Sequence, residues 1–332
     1  MFDKVFEKFL NNMNKYDLVS EDTKKVIIAT SGGKDANFMT ELLYQYQQQY
    51  RPDLVLELAN AAIPKWKYLP DEFIDKLDDE EKKKTLLEEQ KYIEKHKNFW
   101  EDRGIKTVYL DHVFGSSDYD IYNSSIPCTH CFVAQKKALF HYIENHEDAE
   151  SVRLAVGLTK WDMIYLAMSH IIRANGRTWK EVKEQDPERY RMDCMHFATF
   201  SPIPKLDIGI PGKTVYTIEP IIVFSDLETR EYATGLNLPI IPDVCGYLFG
   251  ERFSSDKRYF DNFMKVSAIE EVNLAKNNVN SKLTDNLNPL YSDYEDILKL
   301  MENTGIMPPF EDFSGILYDT YMDEVMKAGV TD

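Results

Sequence analysis

Apolar and polar positions alternate along the first 175 residues in two periods. Met1 to Tyr16 places Phe2, Val5, Phe6, Phe9 and Leu10 on one face at helical spacing, which predicts an amphipathic N-terminal helix. Val26-Ile27-Ile28-Ala29-Thr30 is a short β-branched run and reads as a buried strand. A helical pattern follows from Asn37 to Gln48, with Phe38, Leu42, Leu43 and Tyr46 near one face, and Leu54 to Leu58 gives a second strand after Pro52. Residues from about Tyr68 to Trp100 are highly charged and helical in character, which reads as a solvated helical face. Gly104 then breaks the pattern before a third strand, Ile105 to Leu110. A helix is expected from Phe132 to Asn145, a fourth strand from Ser151 to Gly157, and a helix from Trp161 to Ala174. Beyond these, Val215 to Val223 reads as a strand and Leu227 to Thr234 as a short helix.

Strands and helices that alternate in this way predict an α/β fold, a doubly wound and mostly parallel sheet with helices on both faces and helical additions. The expected organisation is an N-terminal helix over residues 1–20 and a nucleotide-binding domain over 21–265 with a charged insertion at about 68–103. An acidic helical appendage is expected over 266–332.

Composition narrows the function. The chain has 332 residues, 43% of them hydrophobic, enough for a packed core. No apolar run reaches the roughly 18 residues of a membrane span, and the N-terminus lacks the layout of a signal peptide, so the expected setting is cytoplasmic, with no membrane partner. The net charge is −17. Residues 266–332 hold thirteen carboxylates against four lysines, a net −9, which leaves −8 for the rest. Such a balance opposes bulk nucleic-acid binding, which depends on cations displacing counterions from phosphates.

Ser31-Gly32-Gly33-Lys34-Asp35 lies between the first strand and its helix. Two glycines let a backbone approach an anion, and the helix N-terminus adds free N–H groups and the positive end of a dipole. Ser31 can donate a hydroxyl, Lys34 can neutralise phosphate charge, and Asp35 can help hold Mg2+. The loop is too short for the Walker pattern. Of four cysteines, Cys128 and Cys131 stand three apart, a spacing that suits zinc, a cluster or a redox pair; Cys245 follows a proline-rich turn, Pro239-Ile240-Ile241-Pro242. Cys194 reads as a buried thiol, and His130 and His196 as packing or surface residues.

Ser-Gly-Gly-Lys-Asp resembles the PP-loop of the ATP pyrophosphatase family, which cleaves ATP between its α and β phosphates. The Cys128/Cys131 pair, the Tyr216-Thr217-Ile218-Glu219-Pro220 strand and the turn before Cys245 resemble the iron–sulfur-dependent tRNA 2-thiocytidine and 2-thiouridine synthetase group of that family. The resemblance covers roughly residues 20–265. It implies ATP and Mg2+ at Ala29, Ser31, Gly32, Gly33, Lys34 and Asp35, with Asn60 beside adenine and Gly157 near the phosphates. It also implies a [4Fe–4S] cluster on Cys128, Cys131 and Cys245 with one iron free of protein ligands. The segment that is Gly-His-His-x-Asp-Asp in the family reads Gly157-Leu158-Thr159-Lys160-Trp161-Asp162 here. Both histidines are gone, and Asp162 is either a magnesium- or substrate-orienting residue or a helix N-terminal carboxylate.

The implied activity is an adenylating sulfurtransferase that forms AMP and pyrophosphate and replaces a carbonyl oxygen with sulfur. Its partners would be a sulfide or persulfide donor and an acceptor. The acidic charge and the missing histidines favour a small or carrier-bound amide or nucleobase, with tRNA close behind. Arg153, Lys160, Arg173, Arg177, Arg252, Lys257 and Arg258 are the candidates for a local basic patch. A homodimer is possible. Two other readings stand: a PP-loop amide or nitrogen ligase with a zinc site, and a non-catalytic nucleotide-binding module.

Overall fold

A computed structural model describes residues 2–61, 80–110, 127–199, 203–241 and 294–316. Its centre is a six-stranded sheet in the order β3-β2-β1-β4-β6-β5. The strands are β1 (Lys25–Ala29), β2 (Val55–Asn60), β3 (Lys106–Tyr109), β4 (Val152–Ala155), β5 (Lys205–Asp207) and β6 (Tyr216–Ile218). All neighbours pair parallel except β5, which runs antiparallel to β6. This is the mostly parallel α/β sheet that the alternating pattern predicts.

The central strands are buried on both faces, which is why they read as continuous apolar runs: Val26, Ile27, Ile28, Leu58, Leu154 and Ala155 are all sealed from solvent. One face is covered by α1 (Phe2–Lys15) and α2 (Lys34–Tyr50). Phe9, Phe38, Leu42 and Trp100 join Ile28 and Leu58 in that core. On the other face α4 (Pro127–Glu144) packs Ala138, Leu139 and Ile143 against Ile27, Ala59 and Leu154.

The third core gathers α5 (Lys160–Arg173), α6 (Trp179–Gln185), α7 (Pro187–Thr199), α9 (Tyr294–Asn303) and α10 (Phe310–Phe313). The acidic C-terminal region is thus docked where it is described: Tyr294, Met301 and Phe313 are buried among Trp161, Phe197 and Leu206. The charged helix α3 (Glu80–Glu101) is not a solvated face throughout. Near its end His96 and Trp100 are buried.

The strand expected over Val215 to Val223 is shorter, because Pro220 cannot donate to a ladder and the chain turns at Glu219. The short helix expected over Leu227 to Thr234 is α8 (Asp226–Gly235).

Candidate functional site

Parallel strands joined by crossover helices bring every βα junction to the carboxyl edge of the sheet. The strand order reverses between β1 and β4, and there the two connections leave in opposite directions, opening the crevice where open α/β sheets take their ligands. The phosphate loop follows β1 and Gly157 follows β4, so the two segments meet across this crevice. A Cβ on Gly157 would stand 3.4 Å from the backbone of Asp35 and Ala36, so glycine lets the β4 connection press against the first turn of α2.

The loop itself is braced from four sides. The Gly32 N–H donates to Thr30 Oγ1 at 2.9 Å. Asn37 donates from Nδ2 to the carbonyls of Gly32 and Gly33 at 2.8 and 2.9 Å. Trp100 Nε1 in turn donates to Asn37 Oδ1 at 3.0 Å, so the buried end of the charged helix fixes the loop. The Ile241 N–H donates to the Gly32 carbonyl at 2.9 Å. Gly32 has φ +77°, and its missing Cβ would fall within 2.3–2.8 Å of the Ile241 side chain. Any other residue there is strained twice over. The first turn of α2 leaves its N–H groups without helical partners, and they face the crevice mouth.

Charge at the mouth is tightly arranged. Lys34 Nζ donates to both oxygens of Asp35, at 2.8 and 2.7 Å, and to Asp226 Oδ1. Thr229 Oγ1 donates to Asp35 Oδ1 at 2.6 Å, and Arg230 Nη2 to Asp226 Oδ2 at 3.3 Å. Burial pushes the Asp35 carboxyl above its ordinary value, Lys34 and Thr229 oppose that, and the nearby Asp162 carboxylate adds to it. Asp226 and Thr229 sit in the first turn of α8, behind a capping box of Ser225 and Glu228.

Asp162 takes the helix-terminal position. Its Oδ2 accepts from the Thr159 N–H at 2.8 Å and from Thr159 Oγ1 at 2.9 Å, closing a capping box at the start of α5. Asn60 ends β2 at the same edge. It is buried, and its Oδ1 has no hydrogen-bond partner among the described residues. An acceptor stranded in this way fits the exocyclic amine of a bound adenine. Ala29 is half-buried at the end of β1 and Ser31 is exposed in the loop.

Cys128 and Cys131 lie within the first five residues of α4, three apart. Since α4 connects β3 to β4, its start lies at the carboxyl edge as well. Their side chains, and Cys245 altogether, lie outside the described residues, as do Arg252, Lys257 and Arg258. Ile241, four residues before Cys245, is the residue bonded to Gly32. Among the described residues no group of three or more His, Cys, Asp or Glu side chains is placed to hold a metal ion.

Behind the edge, Glu219 and Lys136 form a buried opposite-charge couple. Burial raises the Glu219 carboxyl well above its ordinary value and brings the Lys136 ammonium down to about 8, each partly offset by the other. Cys194 is buried in α7, and burial raises its thiol to about 11, so it is a packing residue. The other basic-patch candidates do not gather. Arg153 is buried, donating to the carbonyls of Glu150 and Val152 and to Ser20 at the amino edge of the sheet. Lys160 starts α5 while Arg173 ends it, roughly 20 Å apart along the helix.

No family model matches the chain, and neither does any curated protein. Among solved structures, the U34-tRNA thiolase NcsA from Methanococcus maripaludis, with its [4Fe-4S] cluster, is similar at TM-score 0.55 and 19% sequence identity. The likeness spans 91% of this chain and 79% of that one. The two proteins share a fold. The mostly parallel α/β architecture expected from the sequence is therefore borne out, and the neighbour that shares it is an iron–sulfur tRNA thiolase, like the group that the sequence resembles. No described helix is long and apolar enough to cross a membrane.

Sequence reasoning missed Thr30, Asn37, Trp100, Asp226 and Thr229. Asn37 carried a signal, being a polar residue on the apolar side of α2. Trp100 had none, because its partner lies 63 residues away.

Proposed function

We propose that the chain is an ATP-dependent sulfurtransferase that adenylates a carbonyl oxygen and replaces it with sulfur, with tRNA as acceptor. The observation that carries the reading is the braced phosphate loop, open at the first turn of α2, in a fold shared with a tRNA thiolase over 91% of the chain. That thiolase supports tRNA over the smaller acceptor favoured by charge alone.

In this reading Asn60 Oδ1 accepts from adenine, and Ala29 and Gly157 flank the nucleotide. Ser31, the loop N–H groups and Lys34 hold the β and γ phosphates, and Asp35 takes Mg2+, whose role is to neutralise phosphate charge. The acceptor's carbonyl oxygen attacks the α phosphorus and the bond to the β-phosphate bridging oxygen breaks. Lys34 and the loop stabilise the charge on the departing pyrophosphate. Hydrosulfide then attacks the activated carbon, the carbon–oxygen bond breaks to release AMP, and loss of the sulfur proton leaves the thiocarbonyl. Asp162, fixed by its cap, faces the same mouth and orients the acceptor. Cys128, Cys131 and Cys245 would hold a [4Fe–4S] cluster, which when bound supplies an iron open to sulfide.

A second reading keeps the same chemistry with a small or carrier-bound amide or nucleobase. It rests on the net charge of −17 and on basic residues that the fold scatters. The deciding experiment combines anaerobically prepared protein, Mg·ATP, sulfide and bulk tRNA from a deletion strain. AMP, pyrophosphate and one new thionucleoside in the digested tRNA support the tRNA reading. No thionucleoside, with AMP and pyrophosphate appearing only when a small amide or nucleobase replaces tRNA, supports the second, and ADP with phosphate overturns both.

A further inference from the structure

The ammonium of Lys34 is held by two elements that are remote in sequence. Asp35 follows it directly and offers both oxygens. Adjacent residues on a helix do not face each other, so Asp35 alone leaves the direction of this long side chain open. The second hold comes from Asp226, 192 residues away. Asp226 itself is fixed, because it opens α8 directly after the Ser225 cap, and its other oxygen accepts from Arg230. The buried Thr229, one turn further on, ties Asp35 to the same helix. Lys8 of α1 then clamps the turn from outside through Glu228 at 2.8 Å. The side chains of Lys34, Asp35 and Asp226 are only 19%, 28% and 15% exposed, so water screens these contacts weakly.

We infer that Asp226 is the positioning residue for Lys34: the first turn of α8 is the fixed wall against which the phosphate-loop ammonium is aimed. The inference rests on the nucleotide reading of the loop only for its kinetic consequence. A lysine free to swing would meet phosphate in many poses. Held between Asp35 and Asp226, it meets the leaving phosphate in one pose, and an incoming phosphate oxygen must share it with Asp226. Losing Asp226 therefore lowers turnover without weakening nucleotide binding, a split that a loss of simple structural support does not produce.

The test uses the full-length protein and the variants Asp226→Asn and Asp226→Glu. The first readout needs no nucleotide: acetic anhydride labelling of Lys34, quantified by peptide mass spectrometry against the 72%-exposed Lys24 in the same sample. Asp226→Asn should raise Lys34 labelling several-fold and Asp226→Glu should restore most of the protection; unchanged labelling in Asp226→Asn overturns the inference. The second readout is AMP and pyrophosphate formation. Asp226→Asn should lower kcat by about tenfold or more with a KM for ATP no higher than wild type, because the contact acts on the departing charge. A raised KM with kcat intact overturns the inference. If wild-type protein forms no AMP from ATP under any acceptor, the function proposed above falls, and the labelling result alone decides on Asp226. Should Asp226→Asn fail to fold by circular dichroism, Asp226→Ser, which also removes the charge at a helix start, takes its place in both readouts.

Discussion

The two edges of the sheet are built on opposite principles. At the amino edge, charged side chains reach into loops and are used up there. Arg51 donates to the carbonyls of Ser20 and Thr23 and pairs with Asp53, and Arg153 donates to Ser20, Glu150 and Val152. At the carboxyl edge the backbone does the fitting: Gly32 and Gly157 make room, and among the described residues the α2 N-terminus is left open and the Asn60 acceptor unused. One edge ties the molecule together and the other holds back its polar capacity. The contrast separates two uses of charge that composition merges, since Arg153, counted as a candidate for a nucleic-acid patch, turns out to be a fastener.

The largest expected effect breaks the carboxyl edge. Gly32→Val places atoms where Ile241 already stands and forces a β-branched residue to φ +77°, so AMP formation should vanish and the melting temperature should fall. Retained activity would mean that the loop is not the phosphate site. Next is Lys34→Ala, which should cost about a hundredfold or more in kcat while leaving the fold intact, measured by pyrophosphate release and circular dichroism. At the amino edge the sign reverses. Arg153→Met should destabilise by roughly 1–3 kcal/mol in urea unfolding and leave KM for ATP alone, because it strands loop carbonyls far from the crevice. A change in KM without a change in stability would erase the distinction between the edges.

A pH experiment sharpens the comparison from a neighbouring direction. Burial holds the His96 imidazole down to about 4, against an ordinary value near 6.5. The unfolded chain then binds more protons than the folded one between those values, so stability is complete above about 6.5 and is lost as pH falls toward about 4. His96→Phe should remove this group's share of the acid limb, roughly 3 kcal/mol at most, and leave the share that buried His170 and His196 contribute. A slope unchanged in the variant would place the acid sensitivity elsewhere. The smallest effect is expected for Cys194→Ala. This should leave turnover unchanged and cost about 1 kcal/mol for the volume lost.

The strand–loop–helix unit around Ser31 to Asp35 was legible because its signals are local: a β-branched run, paired glycines and a helical period. The same holds for β2, β3, β4 and α5. What escaped depends on remote partners. α6 and α7 lack a clear stripe in sequence, being short and bordered by Pro187, and became visible only where Val182, Tyr190 and Phe197 meet α9 and α10. β5 is three residues long and exists because β6 pairs with it. Asp162 was read with two roles in view, and Thr159 was the missing partner that shows its capping geometry. Asp226 lies just before the helix expected from Leu227 and carried no signal in sequence, because its partner Lys34 is 192 residues away. The cysteine positions rest on spacing and resemblance.

The N-terminal helix has one more implication, for the order in which the molecule is made. Lys8 pairs with Glu228 and Asn12 donates to the carbonyls of Glu219 and Pro220, contacts spanning 207 to 220 positions. Val5, Phe6 and Phe9 are synthesised some two hundred residues before the turn that receives Lys8. At ordinary elongation rates that is a wait of roughly 10–40 s with an apolar helix face uncovered. A chaperone that binds nascent chains should be found on this segment until residue 228 has cleared the exit tunnel, and release should coincide with closure of α1 over the sheet.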